Sequence, residues 1–227
     1  MELKSFQHNG ISWHVNILGE KALLLTPDVE CHKLSIIHHF CLVLDQYLIY
    51  GVVDIIPAYD SIGIIFEESL KNHLELFDLL TELPTSENKN ASSLIMEVPV
   101  CYDLGLDWSE IENYTNLAKS EIIKIHSSKI YTVAMIGFIP GFLFLDGLDS
   151  SISCPRKSSP RTIIPKGSVG IGGNQTGVYS LESPGGWNII GRTPMSFFEV
   201  EKRPPSTFRA GNRIKFVQIS EYEFGDF

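Results

Sequence analysis

Residues 161–194 read RTIIPKGSVGIGGNQTGVYSLESPGGWNIIGRTP. Short apolar runs recur at 162–164, 168–171, 178–181 and 188–190, each set off by Gly, Pro or a polar residue. Runs this short are not helices. Their close spacing predicts a barrel or sandwich of many short strands rather than an open sheet. The same reading extends outward to Phe197–Val200 and Arg213–Ile219 downstream, and to Leu94–Val100 and Lys129–Gly137 upstream. Two short helices fall between these last two, Asp107 to Leu117 and Ser120 to Ser127, each opened by an N-cap residue at Asp107 and Ser120.

The first part of the chain has a different rhythm. Ile11–Leu18 and Lys21–Thr26 flank a Gly19-Glu20 turn and read as a hairpin. A helix is predicted from Asp28 to Tyr47, with Pro27 in its first turn and an apolar stripe through Leu34, Ile37, Cys41 and Leu44. Strands at Gly51–Pro57 and Ser61–Phe66 follow, then a second amphipathic helix over Glu67–Leu83. Two repeats of strand, strand, helix predict a sheet with helices on one face. Pro84–Ser93 (PTSENKNASS) is the linker. The chain is therefore expected to be α+β, with a small N-terminal α+β domain at 1–88 and a β-barrel at 89–227.

Charge divides the chain in the same way. Residues 1–150 carry a net charge of -13 and contain no arginine, whereas residues 151–227 carry +4 and hold all six arginines. An acidic body argues against nucleic-acid binding, which needs a broad basic face. A local arginine cluster suits a carboxylate or phosphate, because the guanidinium fork matches either group bidentately. No apolar run approaches the length of a membrane span. Cys31, Cys41, Cys101 and Cys154 are scattered and read as reduced thiols. A cytoplasmic protein is expected.

Several common chemistries fail on spacing. Cys31, His32, His38, His39 and Cys41 point in different directions on a helix, so no metal site is predicted. Gly167 to Gly177 is rich in glycine but is not followed by Lys-Ser or Lys-Thr, and it lacks a helix to hold a phosphate. Its glycines instead permit positive φ and close backbone approach in a tight barrel. Neither Ser168 nor Ser183 sits in G-x-S-x-G. What stands out is density. The segment 137–191 holds 11 of the 18 glycines, interleaved with aromatics and arginines. That mixture reads as a binding surface rather than bare scaffold.

Six blocks in this segment occur in order: Gly137-Phe-Ile-Pro-Gly-Phe-Leu-Phe-Leu145, Pro155-Arg-Lys-Ser-Ser-Pro-Arg161, Pro165-Lys-Gly-Ser-Val-Gly-Ile171, Gln175-Thr-Gly-Val-Tyr179, Ser183-Pro-Gly-Gly-Trp187 and Ile190-Gly-Arg-Thr-Pro194. Together they resemble the KipI family, also called allophanate hydrolase subunit 1 or the B component of 5-oxoprolinase, across essentially the whole chain. The family has Pro-Tyr where Leu143-Phe144 stands here, and Pro where Ser180 stands.

The resemblance implies a C-terminal barrel of the cyclophilin-like kind. It also implies two partners, a homologous cyclophilin-like protein (the C component) and a TIM-barrel-like protein (the A component). The implied activity is ATP-dependent cleavage of 5-oxo-L-proline to glutamate, with magnesium and ATP serving the complex rather than bound tightly by this chain. Alternatives within the resemblance are a module that inhibits a sensor histidine kinase and a carboxyltransferase-type subunit of urea carboxylase. For the site, Arg156, Arg161 and Arg192 are expected as anion contacts, with Gln175, Tyr179 and Ser183 as polar orienters. Gly185, Gly186 and Trp187 are expected to form the wall, and His126 to transfer protons.

Overall fold

The computed structural model describes residues 4–47, 50–69, 73–84 and 94–227. The chain divides into two compact units, Met1–Ala91 and Ser92–Phe227. Among the described residues no helix is long and apolar enough to cross a membrane.

The first unit is a five-stranded antiparallel sheet in the order β1-β2-β3-β5-β4, from β1 (Lys4–His8), β2 (Ile11–Leu18), β3 (Ala22–Pro27), β4 (Val52–Pro57) and β5 (Ile62–Phe66). Alternation along β3 and β5 sends Leu23, Leu25, Ile62 and Ile64 to one face. There they meet Ile37, Phe40 and Leu44 of α1 (Lys33–Gln46) and Leu76 and Leu80 of α2 (His73–Glu82). Pro27 does not open α1. It ends β3 opposite Trp13, and the next amide, Asp28, still bonds to Ser12 O, so the helix starts only after His32. Residues 70–72, part of the stretch read as the second helix, lie outside the described residues.

The second unit is the barrel expected of its short strands. Seven strands run in the order β13-β10-β11-β8-β7-β14-β6. They are β6 (Ile95–Val100), β7 (Tyr131–Ile136), β8 (Leu143–Asp146), β10 (Ser168–Gly172), β11 (Gln175–Val178), β13 (Asn188–Arg192) and β14 (Arg213–Gln218). All pairs are antiparallel except β14 with β6. The sheet nearly closes where Cys101 and Arg192 exchange both backbone hydrogen bonds, at 2.9 and 3.0 Å. Register shifts that leave an extra residue on β7 and on β13 supply the bending that closure requires. A separate ribbon pairs β9 (Arg161–Ile164) with β12 (Ser183–Gly185). Phe197–Val200 is not a strand and contributes one isolated bridge, Phe198 to Ser206.

Helices α3 (Trp108–Thr115) and α4 (Lys119–Ser128) lie between β6 and β7, and α5 (Glu221–Gly225) follows β14. The α4 N-cap is Ala118 rather than Ser120, because Glu121 reaches back to accept the Ala118 amide at 2.9 Å.

His126 of α4 sits in the barrel core with no exposed surface. Its ring stacks on Phe216, 4.7 Å between centroids. Thr176 Oγ1 donates to Gly170 O at 3.0 Å, so its oxygen accepts from His126 Nε2–H at 2.9 Å. Nδ1 is then the acceptor for the Tyr102 hydroxyl at 2.8 Å. Both ring nitrogens are used inside the core, which places this histidine away from a proton-transfer role at the surface.

Burial lowers the His126 pKa to about 3. A histidine whose folded pKa is depressed stabilises the fold fully above its unfolded value of about 6.5, and loses that contribution as pH falls. The slope is about 1.4 kcal/mol per pH unit below 6.5. Urea unfolding at pH 7 and pH 5 checks this: the barrel of the unaltered chain should lose about 2 kcal/mol to this group. His126→Gln should lack that loss.

Candidate functional site

Strand alternation explains where the glycines go. Val169, Ile171 and Val178 point into the barrel core. Gly170, Gly172 and Gly177 therefore present bare backbone on the opposite face. Trp187 lies against that face. A Cβ on Gly172 would stand 2.7 Å from the indole ring, and one on Gly177 would stand 3.0 Å from it. The glycines are a floor for a tryptophan, and any side chain there displaces it.

Around the indole stands a small aromatic cluster with Ile164 and Ile189. Phe142 and Phe144 meet Trp187 edge-on at 5.5 and 5.8 Å, and Tyr179 meets Phe142 edge-on at 4.9 Å. Such pairs contribute about 0.5–1.5 kcal/mol each beyond buried area. At the rim, Phe138 is edge-on to Phe142 at 5.6 Å, yet 64% exposed. Its φ is +68°, and Ile139 N–H bonds back to Gly137 O at 2.9 Å. This is a γ-turn of the strained, positive-φ kind, which holds a large apolar ring out in water.

The arginine-bearing loop 155–160 crosses the same face. Asn188 Nδ2 donates to Pro155 O at 2.8 Å, and Lys157 N–H donates to Gly186 O at 2.7 Å. Arg156 is pinned between these two bonds, and its guanidinium lies 5.6 Å from the Trp187 ring centroid. Among the described residues no carboxylate pairs with it.

Lys157 and Arg161 are arranged differently. Asp107, the N-cap of α3, has no exposed surface and does not cap the helix with its side chain. Its carboxylate takes a two-pronged bond from Arg161 at 2.7 and 2.6 Å, one from Lys157 Nζ at 2.6 Å, and one from the Ile189 amide at 2.7 Å. Lys157 also bonds Glu110 at 2.8 Å. Burial alone would raise the Asp107 pKa, but the bonds from Arg161, Lys157 and Ile189 outweigh it and hold the carboxyl below its ordinary value.

The structure brings together Arg156, Tyr179, Ser183, Gly185, Gly186 and Trp187. Burial pushes the Tyr179 pKa up to about 12. Gly185 has no room for a side chain beside the Tyr179 hydroxyl and Ile164. Ser183 is paired with Ile164, so its hydroxyl faces the aromatic cluster. That hydroxyl is buried and has no hydrogen-bond partner among the described residues. Gln175, paired with Gly172, lies on the Trp187 face.

Arg161 is turned to Asp107, and Arg192 stands elsewhere. Arg192 is at the far end of β13, about 13 Å from the Trp187 end at ~3.3 Å per residue. It stands opposite Ser168 in the β10–β13 ladder, beyond the register shift at Val169/Gly170. Its Nε donates to Lys166 O at 2.7 Å, and its guanidinium lies 5.7 Å from the Phe224 ring. Sequence reasoning missed Asp107 as an ion-pair partner and Phe138 as a presented ring. The Gly137-x-x-Pro-Gly141 frame was the available signal for the second; nothing local announced the first.

A family model described as carboxyltransferase domain, subdomain C and D, matches residues 13–208. The B component of Bacillus subtilis 5-oxoprolinase is 36% identical over 234 residues, covering 94% of this chain and 96% of its own. A conserved uncharacterized protein of Pyrococcus horikoshii, of solved structure, is 35% identical with a TM-score of 0.57, covering 92% of this chain and 99% of its own. The urea carboxylase of Kluyveromyces lactis superposes on the whole of this chain and 23% of its own with a TM-score of 0.76. Its identity of 16% speaks to the fold alone. On the family model and the length of the first alignment together, this chain belongs to the carboxyltransferase C/D domain family, within the KipI branch that its sequence blocks resemble.

Proposed function

We propose that this chain is the B component of an ATP-dependent 5-oxoprolinase, acting in the cytoplasm with the A and C components and inactive without them. The Bacillus subtilis relative, a 5-oxoprolinase component aligned nearly end to end, supports this reading. The observation that carries it on the chain itself is the Arg156 guanidinium set on the Trp187 face without a carboxylate partner. An anion-ready cation beside an orphaned hydroxyl and a presented phenylalanine is a recognition surface.

A five-membered lactam is a stable amide with a poor leaving group. Phosphoryl transfer to the lactam oxygen would make its carbon electrophilic enough for water to add. The adduct would then break its carbon–nitrogen bond as the nitrogen takes a proton, leaving an acyl phosphate that a second water hydrolyses to the carboxylate and free phosphate. The described residues of this chain do not fit magnesium and ATP. The glycine run 167–177 is a hairpin with no helix behind it, and Asp107, the one buried carboxylate among them, is committed to Arg161 and Lys157. Nucleotide binding is therefore assigned to a partner, and this chain to holding the substrate. Arg156 would take the substrate carboxylate, and Ser183 or Tyr179 would hold the lactam. The glycine floor and the rings around Trp187 would exclude water from one side.

The test is 5-oxoproline-dependent ATP hydrolysis with the three components mixed and with this one omitted. Omission should abolish turnover; an unchanged rate without it overturns the proposal. Within the complex, Arg156→Ala should lower kcat/KM for 5-oxoproline roughly 10- to 100-fold, the worth of one charge-assisted contact. Phe138→Ala should raise KM while leaving the stability of the chain unchanged or higher, because it also releases an exposed apolar ring.

A further inference from the structure

Three cations crowd into six residues at Arg156, Lys157 and Arg161. Left free, such a cluster would attract polyphosphates. The structure disposes of two of them. Lys157 and Arg161 are spent on Asp107 and Glu110, two cations against two carboxylates, so that group is electrically neutral. Among the described residues, the cation that lies over the Trp187 ring is Arg156. It lies 5.6 Å from the centroid, and its forked N–H groups match a carboxylate. The buried hydroxyl of Ser183, directed at the same cluster without a partner, asks for a neutral hydrogen-bonding group rather than a second anion.

We infer that the Arg156–Trp187 face selects a small monocarboxylate carrying one neutral polar group, and that the Asp107–Glu110 carboxylates act as a charge filter that denies it to polyphosphates. The choice of 5-oxo-L-proline as probe rests on the proposed function, whereas the charge filter does not. Asp107 in this role is a positioning and neutralising residue and touches no ligand. Its effect is to set which anions the neighbouring Arg156 meets.

The full-length chain, nitrogen-15 labelled, tests this through the indole N–H resonance of Trp187, assigned with Trp187→Phe. Titration with 5-oxo-L-proline should move that resonance saturably. Inorganic tripolyphosphate at the same concentrations should not, nor should 2-pyrrolidinone, the same ring without its carboxylate. Arg156→Ala should abolish the response to 5-oxo-L-proline. Glu110 is exposed, so Glu110→Gln keeps the fold and should admit tripolyphosphate about threefold more tightly; a folded Asp107→Asn should do so at least tenfold.

A tripolyphosphate response in the unaltered chain as strong as the carboxylate response overturns the inference. So does a carboxylate response that survives Arg156→Ala, or the absence of any gain in Glu110→Gln. Tetrahydrofuran-2-carboxylate, a monocarboxylate whose neutral polar group is a ring oxygen, separates the two readings. If it moves the resonance and 5-oxo-L-proline does not, the charge filter stands and the 5-oxoprolinase assignment falls.

Discussion

A carboxylate with no exposed surface must bring its counter-charges with it, and the barrel unit is organised around how Asp107 does so. Its own amide and its side chain both bond Ile189, which staples the start of α3 to β13. Arg161 ties in β9, and through β9 the ribbon that covers the aromatic cluster. Lys157 ties in the loop that carries Arg156. Removing one partner from a buried pair costs about 3–5 kcal/mol, because the other charge stays behind unpaired. The four segments that build the candidate site are thus held by one acid, and none of them could shift alone.

The architecture was legible because it depends on local chemistry. Short apolar runs punctuated by Gly and Pro can only be short strands, and counting them gave a barrel. Alternating strand and helix patterns gave the first unit. The errors are equally physical. Pro27 suits a helix start, but its backbone stands opposite Trp13 in the β2–β3 ladder, which continues past it at Asp28. Phe197–Val200 looks like a strand because it is apolar, yet Phe197 stacks on Phe208 at 5.1 Å instead of joining a ladder. β8 and β12 are hidden among Gly and Pro, where propensity says turn and only the neighbouring strand says otherwise.

The candidate site was legible as composition and not as geometry. Residue types pointed to the face around Trp187, since glycine, tryptophan and arginine are informative wherever they stand. Which arginine faces a ligand depended on partners far along the chain. Arg161 meets Asp107 across 54 residues, and no local pattern reports such a pairing. Arg192 lies in the same short stretch as Trp187, but it stands at the other end of β13, engaged with Lys166 O and the Phe224 ring. His126 looked like a proton carrier because histidine often is one; its surroundings in the core make it a neutral strut.

The single parallel pair in the barrel bears on how the protein is made. β6 opens the second unit and β14 comes close to ending it, with Val98 opposite Phe216. A ribosome has therefore emitted nearly the whole unit before its first strand finds its lasting neighbour. Until then the apolar side of β6 has no permanent cover, and loop-closure entropy delays the pairing further. Assembly of this barrel is completed only once its last strand has emerged, and the unit depends on staying soluble in the interval.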